Sequence, residues 1–86
     1  MRLYEKVAVI GLGYVGLPTA VTFVNAAFQV VGVDIDENKV RMINNGKSYI
    51  KEPGLPEILR KSVALGKLRA TTNGITAVKE SDAVII

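Results

Sequence analysis

The stretch VAVIGLGYVG, Val7 to Gly16, decides how this sequence folds. Its first four residues, Val7 to Ile10, are continuously apolar and mostly β-branched, the composition of a strand buried on both faces. Its last six carry three glycines, Gly11, Gly13 and Gly16, in the spacing G-x-G-x-x-G. Glycine inside a regular element costs about 0.5–1 kcal/mol relative to alanine, so three within six positions need a local reason. Immediately downstream, Leu17, Ala20, Val21, Val24 and Phe28 recur at three- and four-residue intervals. That is the pattern of an amphipathic helix, expected to end near Ala27. Pro18 lies close to its start, where it removes one backbone bond and loosens the first turn.

Outward from this stretch the pattern alternates. Gln29 to Val33 predicts a second strand, closed by Asp34. Asp36 is placed to cap a second helix, and Glu37 suits the positive end of its dipole. Val40 and Ile43 form that helix's apolar face, and Gly46 ends it. A loop with Pro53, Gly54 and Pro56 leads to a third helix from about Leu55 to Leu65, with Ile58, Leu59 and Val63 inward and Gly66 as its stop. Leu68 to Thr71 predicts a weaker third strand, Ile75 to Lys79 a short helical turn, and Ala83 to Ile86 a fourth strand. Strands alternating with helices predict an α/β fold: a Rossmann-like parallel sheet with helical crossovers and spatial strand order 3-2-1-4. The sheet is incomplete as given, because the apolar fourth strand has nothing after it to cover its outer edge. Residues 1–86 are therefore expected to be the N-terminal part of a dinucleotide-binding domain, a fragment of a longer protein.

Composition narrows the function. Of 86 residues, 49% are hydrophobic, a rich share for so small an interior. The net charge is +3, and the basic residues are scattered from Arg2 to Lys79 without a block, which argues against a nucleic-acid surface. With neither cysteine nor histidine there is no disulfide, thiol nucleophile, imidazole base or zinc site. No signal-peptide pattern opens the chain, and no apolar run approaches the roughly 18–20 residues of a membrane span. The expectation is a soluble, cytoplasmic protein with no metal and no membrane partner.

The glycines acquire a reason from their context. They follow a predicted strand, open a predicted helix, and precede a second strand ending in Asp34, eighteen residues past Gly16. Gly11 turns the chain sharply, Gly13 lets a diphosphate approach the backbone, and Gly16 lets the helix pack closely on the strand. Free N–H groups from about Gly13 to Val15 point at the ligand, and the helix dipole favours its negative charge. The competing reading is a tight strand-to-helix turn without a ligand. Asp34 would accept hydrogen bonds from ribose hydroxyls and repel a 2′-phosphate, which favours NAD over NADP. Its alternative is a capping or solvated loop aspartate, a role for which Asp36 is better placed. Lys39, one turn into the next helix, could reach the adenosine end, or could simply be a solvated surface lysine. Gly32, inside the second strand, permits close packing.

Four segments, KVAVIGLGYVGLPTA, VVGVDIDENKV, INNGKSYIKEPGLPEIL and AVKESDAVII, together resemble the N-terminal region of the nucleotide-sugar dehydrogenases. This family acts on UDP-glucose, UDP-N-acetylmannosamine and GDP-mannose, and the likeness spans nearly the whole chain. The resemblance implies oxidation of a sugar 6-hydroxyl to a carboxylate with two NAD⁺, in a longer and homo-oligomeric enzyme that takes its nucleotide-sugar substrate through downstream domains. It implies cofactor-binding roles for Gly11, Gly13 and Gly16 in the phosphate turn, for the backbone of Tyr14 and Val15, for Asp34 at the ribose and for Lys39 near the adenosine. The loop from Tyr49 to Leu55 matches a family landmark. Within it Glu52 has no derivable contact and is expected to shape the loop, with Pro53 rigidifying the turn. The family's catalytic cysteine lies further along than Ile86, so no catalytic residue is expected here. Two other readings compete: a regulatory NAD(H)-sensing module, and another Rossmann dehydrogenase of the 3-hydroxyacyl-CoA or 6-phosphogluconate type.

Overall fold

A computed structural model describes residues 5–86, so Arg2, at one end of the charge distribution, lies outside the described residues. In chain order the elements are β1 (Lys6–Ile10), α1 (Gly16–Asn25), β2 (Gln29–Val33), α2 (Glu37–Asn44), α3 (Leu55–Ala64), β3 (Leu68–Thr71), α4 (Gly74–Glu80) and β4 (Ala83–Ile85). The four strands form one parallel sheet in the order β3-β2-β1-β4, as expected from the sequence. Val9 lies opposite Gly32 and Ile10 opposite Val33, so the ends of β1 and β2 are level where the chain leaves for the glycine turn.

Alternation along the strands divides the core into two layers. Val7, Val9 and Val30 point to one face, where they meet Leu17, Val21 and Val24 of α1, Ile43 of α2 and Leu59 of α3. Ala8, Val31 and Val33 point to the other face, which receives Ala77 of α4. β1 and β2 are buried on both faces, which is why they are written in continuous apolar residues.

The edges are handled unequally. At β3 the side chain of Asn44 acts as a short strand of its own: its Nδ2 donates to the Ala70 carbonyl at 2.9 Å, and its Oδ1 accepts from the Ala70 N–H at 2.8 Å. Both backbone groups of a buried residue are thereby satisfied. β4 pairs only with β1 among the described residues, and its other edge is open.

Helix ends follow their residues. Asp36 caps α2, accepting from the N–H groups of Asn38 and Lys39. α1 stops at Asn25, two residues before the expected end, in a Schellman turn. The Phe28 N–H donates to the Phe23 carbonyl, the Ala27 N–H donates to the Val24 carbonyl, and the rings of Phe23 and Phe28 meet edge to face at 5.8 Å. Ala27 holds the left-handed position with φ of 74°, a place that favours glycine. In α3 the inward positions are Leu55, Leu59 and Ser62, and Ile58, expected to be buried, is 37% exposed. Ser62 can occupy the interior because its hydroxyl donates to the Ile58 carbonyl one turn back.

Candidate functional site

The site grows from the C-terminal ends of β1 and β2. The Gly11 N–H donates to the Val33 carbonyl at 2.7 Å, adding one rung to the β1–β2 ladder. Gly11 then turns the chain with φ of +89°, a conformation that L side chains rarely adopt. The bend brings Gly16 back onto Gly11: a Cβ at Gly16 would lie 1.7 Å from the Gly11 carbonyl oxygen. Leu12, between them, is fully buried and fills the space over Gly32, where a Cβ would meet its methyl groups at 2.6 and 2.8 Å. So Gly16 and Gly32 are packing glycines, as the sequence suggested. Gly13 is different, because a Cβ there meets nothing within 4 Å.

The amides after Gly13 are the chemical content of this turn. The N–H groups of Gly13, Tyr14, Val15 and Gly16 have no protein acceptor among the described residues. The first turns of α1 close through Leu17 N–H to the Gly13 carbonyl and Thr19 N–H to the Val15 carbonyl, both at 3.0 Å. Pro18 lies between them, and the bond it cannot make is the one to Tyr14. Unpaired N–H groups at the positive end of a helix suit an anion. The side chains of Tyr14 and Val15 are exposed.

Asp34 lies at the end of β2 and is more engaged than its sequence position reveals. Its Oδ2 accepts from the Leu12 N–H and its Oδ1 from the Asp36 N–H, both at 2.9 Å. Burial pushes the carboxyl pKa up. The N–H groups of Asp36 and Leu12, the Lys39 ammonium and the Ile35 N–H more than offset this and hold it below its ordinary value. The carboxylate is therefore charged at neutral pH, and each oxygen keeps acceptor capacity beyond its one backbone bond. Lys39 is not simply solvated. Its Nζ lies 5.6 Å from the ring centroid of Tyr49, in cation–π range.

Tyr49 is a site residue that motif reasoning missed. Its hydroxyl donates to the Leu12 carbonyl, tying the loop after α2 to the glycine turn. Burial, followed by the charges of Asp34 and Asp36, pushes its phenol up to about 12. The rest of that loop is self-braced. The Ser48 hydroxyl and the Ile50 backbone bond each other, and the Leu55 N–H donates to the Glu52 carbonyl at 3.1 Å around Pro53 and Gly54. With Gly54 at φ of 83°, this is a type II turn, and Glu52 serves it through its carbonyl.

Two clefts flank the turn. An open one of about 700 Å³ borders Ile10, Val33, Asn73, Gly74, Ile75 and Val78, beside the strand end that carries Asp34. Another, of about 480 Å³, lies between Tyr14 and the segment Tyr49, Ile50, Lys51 and Glu52. Among the described residues no group of three or more His, Cys, Asp or Glu could hold a metal ion. Among the described residues no helix is long and apolar enough to cross a membrane.

A parallel sheet in this order, with a glycine-rich bend opening its first helix and an acid closing its second strand, defines a Rossmann-type dinucleotide-binding domain. Residues 5–86 match the family described as "UDP-glucose/GDP-mannose dehydrogenase family, NAD binding domain", and the chain belongs to that family. It is 49% identical over 86 residues to a UDP-N-acetyl-D-mannosamine dehydrogenase of Campylobacter jejuni, covering 100% of this chain and 20% of that protein. It is 46% identical over 81 residues to a GDP-mannose 6-dehydrogenase of Pseudomonas syringae pv. syringae, covering 94% of this chain and 18% of that one. The crystal structure of a ternary complex of GDP-mannose dehydrogenase from Pseudomonas aeruginosa superposes with a TM-score of 0.87 at 38% identity, over 93% of this chain and 19% of that chain. The chain thus spans about a fifth of the length of these relatives. Its cofactor is NAD, the one the family's domain binds.

Proposed function

We propose that this chain supplies the NAD-binding region of an enzyme that oxidises the 6-hydroxyl of a UDP- or GDP-sugar to a carboxylate. The observation that carries the reading is the row of unpaired amides from Gly13 to Gly16, with open space where a Gly13 side chain would lie. Gly11, Gly13 and Gly16 shape the bend, and the Gly13, Tyr14 and Val15 amides hold the diphosphate. Asp34, charged and already fixed by two backbone donors, accepts from the adenosine ribose hydroxyls. Lys39, over the Tyr49 ring, contributes positive charge at the same end. A 2′-phosphate beside the Asp34 carboxylate would meet like charge, which favours NAD⁺ over NADP⁺. The apolar cleft next to Val33 is of a size and character to take the adenine base.

When bound, NAD⁺ accepts a hydride from the substrate carbon. Alcohol to carboxylate is a four-electron change, so each sugar consumes two NAD⁺ and one water. This chain holds and orients the cofactor, while the groups that touch the sugar belong to the rest of an intact, homo-oligomeric, cytoplasmic enzyme. Family membership supports a dehydrogenase over a sensing module or a hydroxyacyl-CoA type.

The test is NADH formation by the intact protein, supplied in turn with UDP-glucose, UDP-N-acetylmannosamine and GDP-mannose. Two NADH per sugar consumed supports the reading. NAD⁺ binding without hydride transfer from any nucleotide sugar contradicts it.

A further inference from the structure

Two side chains from distant parts of the chain hold the two peptide planes at the heart of the glycine turn. The Gly11–Leu12 plane is held by its N–H, which donates to Asp34. The Leu12–Gly13 plane is held by its carbonyl, which accepts from the Tyr49 hydroxyl, 37 residues away. A trans peptide is rigid, and its carbonyl and N–H point in opposite directions. Among the described residues no peptide bond is cis. Fixing the Leu12 carbonyl toward Tyr49 therefore fixes the Gly13 N–H on the opposite side of that plane, pointing away from Tyr49. That N–H is the first of the unpaired row. Gly13 lacks a Cβ and meets nothing within 4 Å there, so local sterics alone do not hold this plane against rotation.

We infer that Tyr49 is a positioning residue for the cofactor: its hydroxyl sets the peptide plane that presents the Gly13 amide to the diphosphate. The inference rests on the assignment of the diphosphate to these amides. Tyr49 is itself held in place. Its ring carries the Lys39 ammonium at 5.6 Å, and the next residue, Ile50, is buried in the main core. The phenol is kept protonated far above neutral pH, so it stays a donor across the working range. The loop after α2 thus reaches the glycine turn through the Tyr49 hydroxyl.

The test compares the intact wild-type protein with Tyr49→Phe, which removes the hydroxyl and keeps the ring under Lys39. Each is titrated with NAD⁺, with ADP, which shares the diphosphate, and with adenosine, which has none. Tyr49→Phe weakens NAD⁺ and ADP about three- to tenfold, the effect of one neutral hydrogen bond, and leaves adenosine unchanged. A ¹H–¹⁵N spectrum gives a second readout: the Gly13 amide moves in the variant, while the Ala77 amide, in the other core layer, does not. Equal losses for all three ligands, or wild-type affinity for all three, overturns the inference and leaves the diphosphate assignment standing. A wild-type protein that binds neither NAD⁺ nor ADP overturns both.

Discussion

Replacing Gly16 and Gly13 separately with alanine should divide the glycine turn into a packing half and a binding half. A Cβ at Gly16 would lie 1.7 Å from the Gly11 oxygen and 2.8 Å from its carbonyl carbon. Ordinary contact begins near 3.4 Å, so the bend must open by about 1.7 Å. Neither partner can swing aside: both atoms are backbone, and Gly11 is tied to Val33 at 2.7 Å. Overpacking of this kind costs about 1–3 kcal/mol or more, against a gain of about 0.5–1 kcal/mol from removing glycine's freedom in the unfolded chain. The net loss of about 0.5–2 kcal/mol lowers Tm by about 2–16 °C for a cooperative unit of this size. Gly13→Ala meets no atom within 4 Å, and Gly13 has no positive φ, so stability stays within about 0.5 kcal/mol. Its methyl instead occupies the space beside the free amides and weakens NAD⁺ by about tenfold or more. Circular dichroism melts and calorimetric NAD⁺ titrations of both variants measure the four quantities. A Gly16→Ala melt indistinguishable from wild type would refute the packing argument. Wild-type NAD⁺ affinity in Gly13→Ala would refute the binding argument.

Further predictions address single contacts. Asp34→Ala removes the acceptor for two backbone donors and the proposed ribose ligand, so NAD⁺ affinity falls by about 1–3 kcal/mol and the fold also loses stability, both measurable by calorimetry. Because the folded Asp34 pKa is depressed, its stabilisation is complete above the unfolded value near 3.9 and is lost as pH falls through the lower folded value. An acid titration of wild type against Asp34→Asn should show that slope only in the wild type. Tyr49 has the opposite sign: its folded phenol is raised to about 12 from 10.0, so its contribution is complete below pH 10 and fades as pH rises toward 12. Alkaline unfolding of Tyr49→Phe should accordingly be flatter over that window. Asn44→Ala strands both backbone groups of Ala70 and should cost about 1–3 kcal/mol by urea unfolding. Ala27→Gly relieves a left-handed alanine and should stabilise by about 1 kcal/mol.

Legibility in the sequence tracks how local each determinant is. β1, the glycine turn and Asp34 were readable because an apolar β-branched run, a glycine spacing and a strand-ending acid all lie within about thirty residues. Asp36 and Gly46 announce the ends of α2 by short-range bonds. The strand order followed from crossover rules rather than from any residue. Ile58 misled and Ser62 went unread because periodicity scores apolarity, whereas a serine bonded to its own helix buries at little cost. Tyr49 on Leu12 and Asn44 on Ala70 join residues 37 and 26 apart by polar contacts between different parts of the fold, which local periodicity does not register. Asp34's bond to Leu12 was hidden for the same reason: spacing suggested a ligand, and geometry adds that the carboxylate also holds the turn together.

The central claim is that main-chain amides grip the cofactor's diphosphate. It is tested most directly by a crystal structure of the intact protein with NAD⁺. The account predicts diphosphate oxygens about 2.7–3.2 Å from the Gly13, Tyr14 and Val15 nitrogens, with the adenosine ribose on Asp34. A diphosphate bound by side chains elsewhere, with those three amides facing solvent, would contradict it.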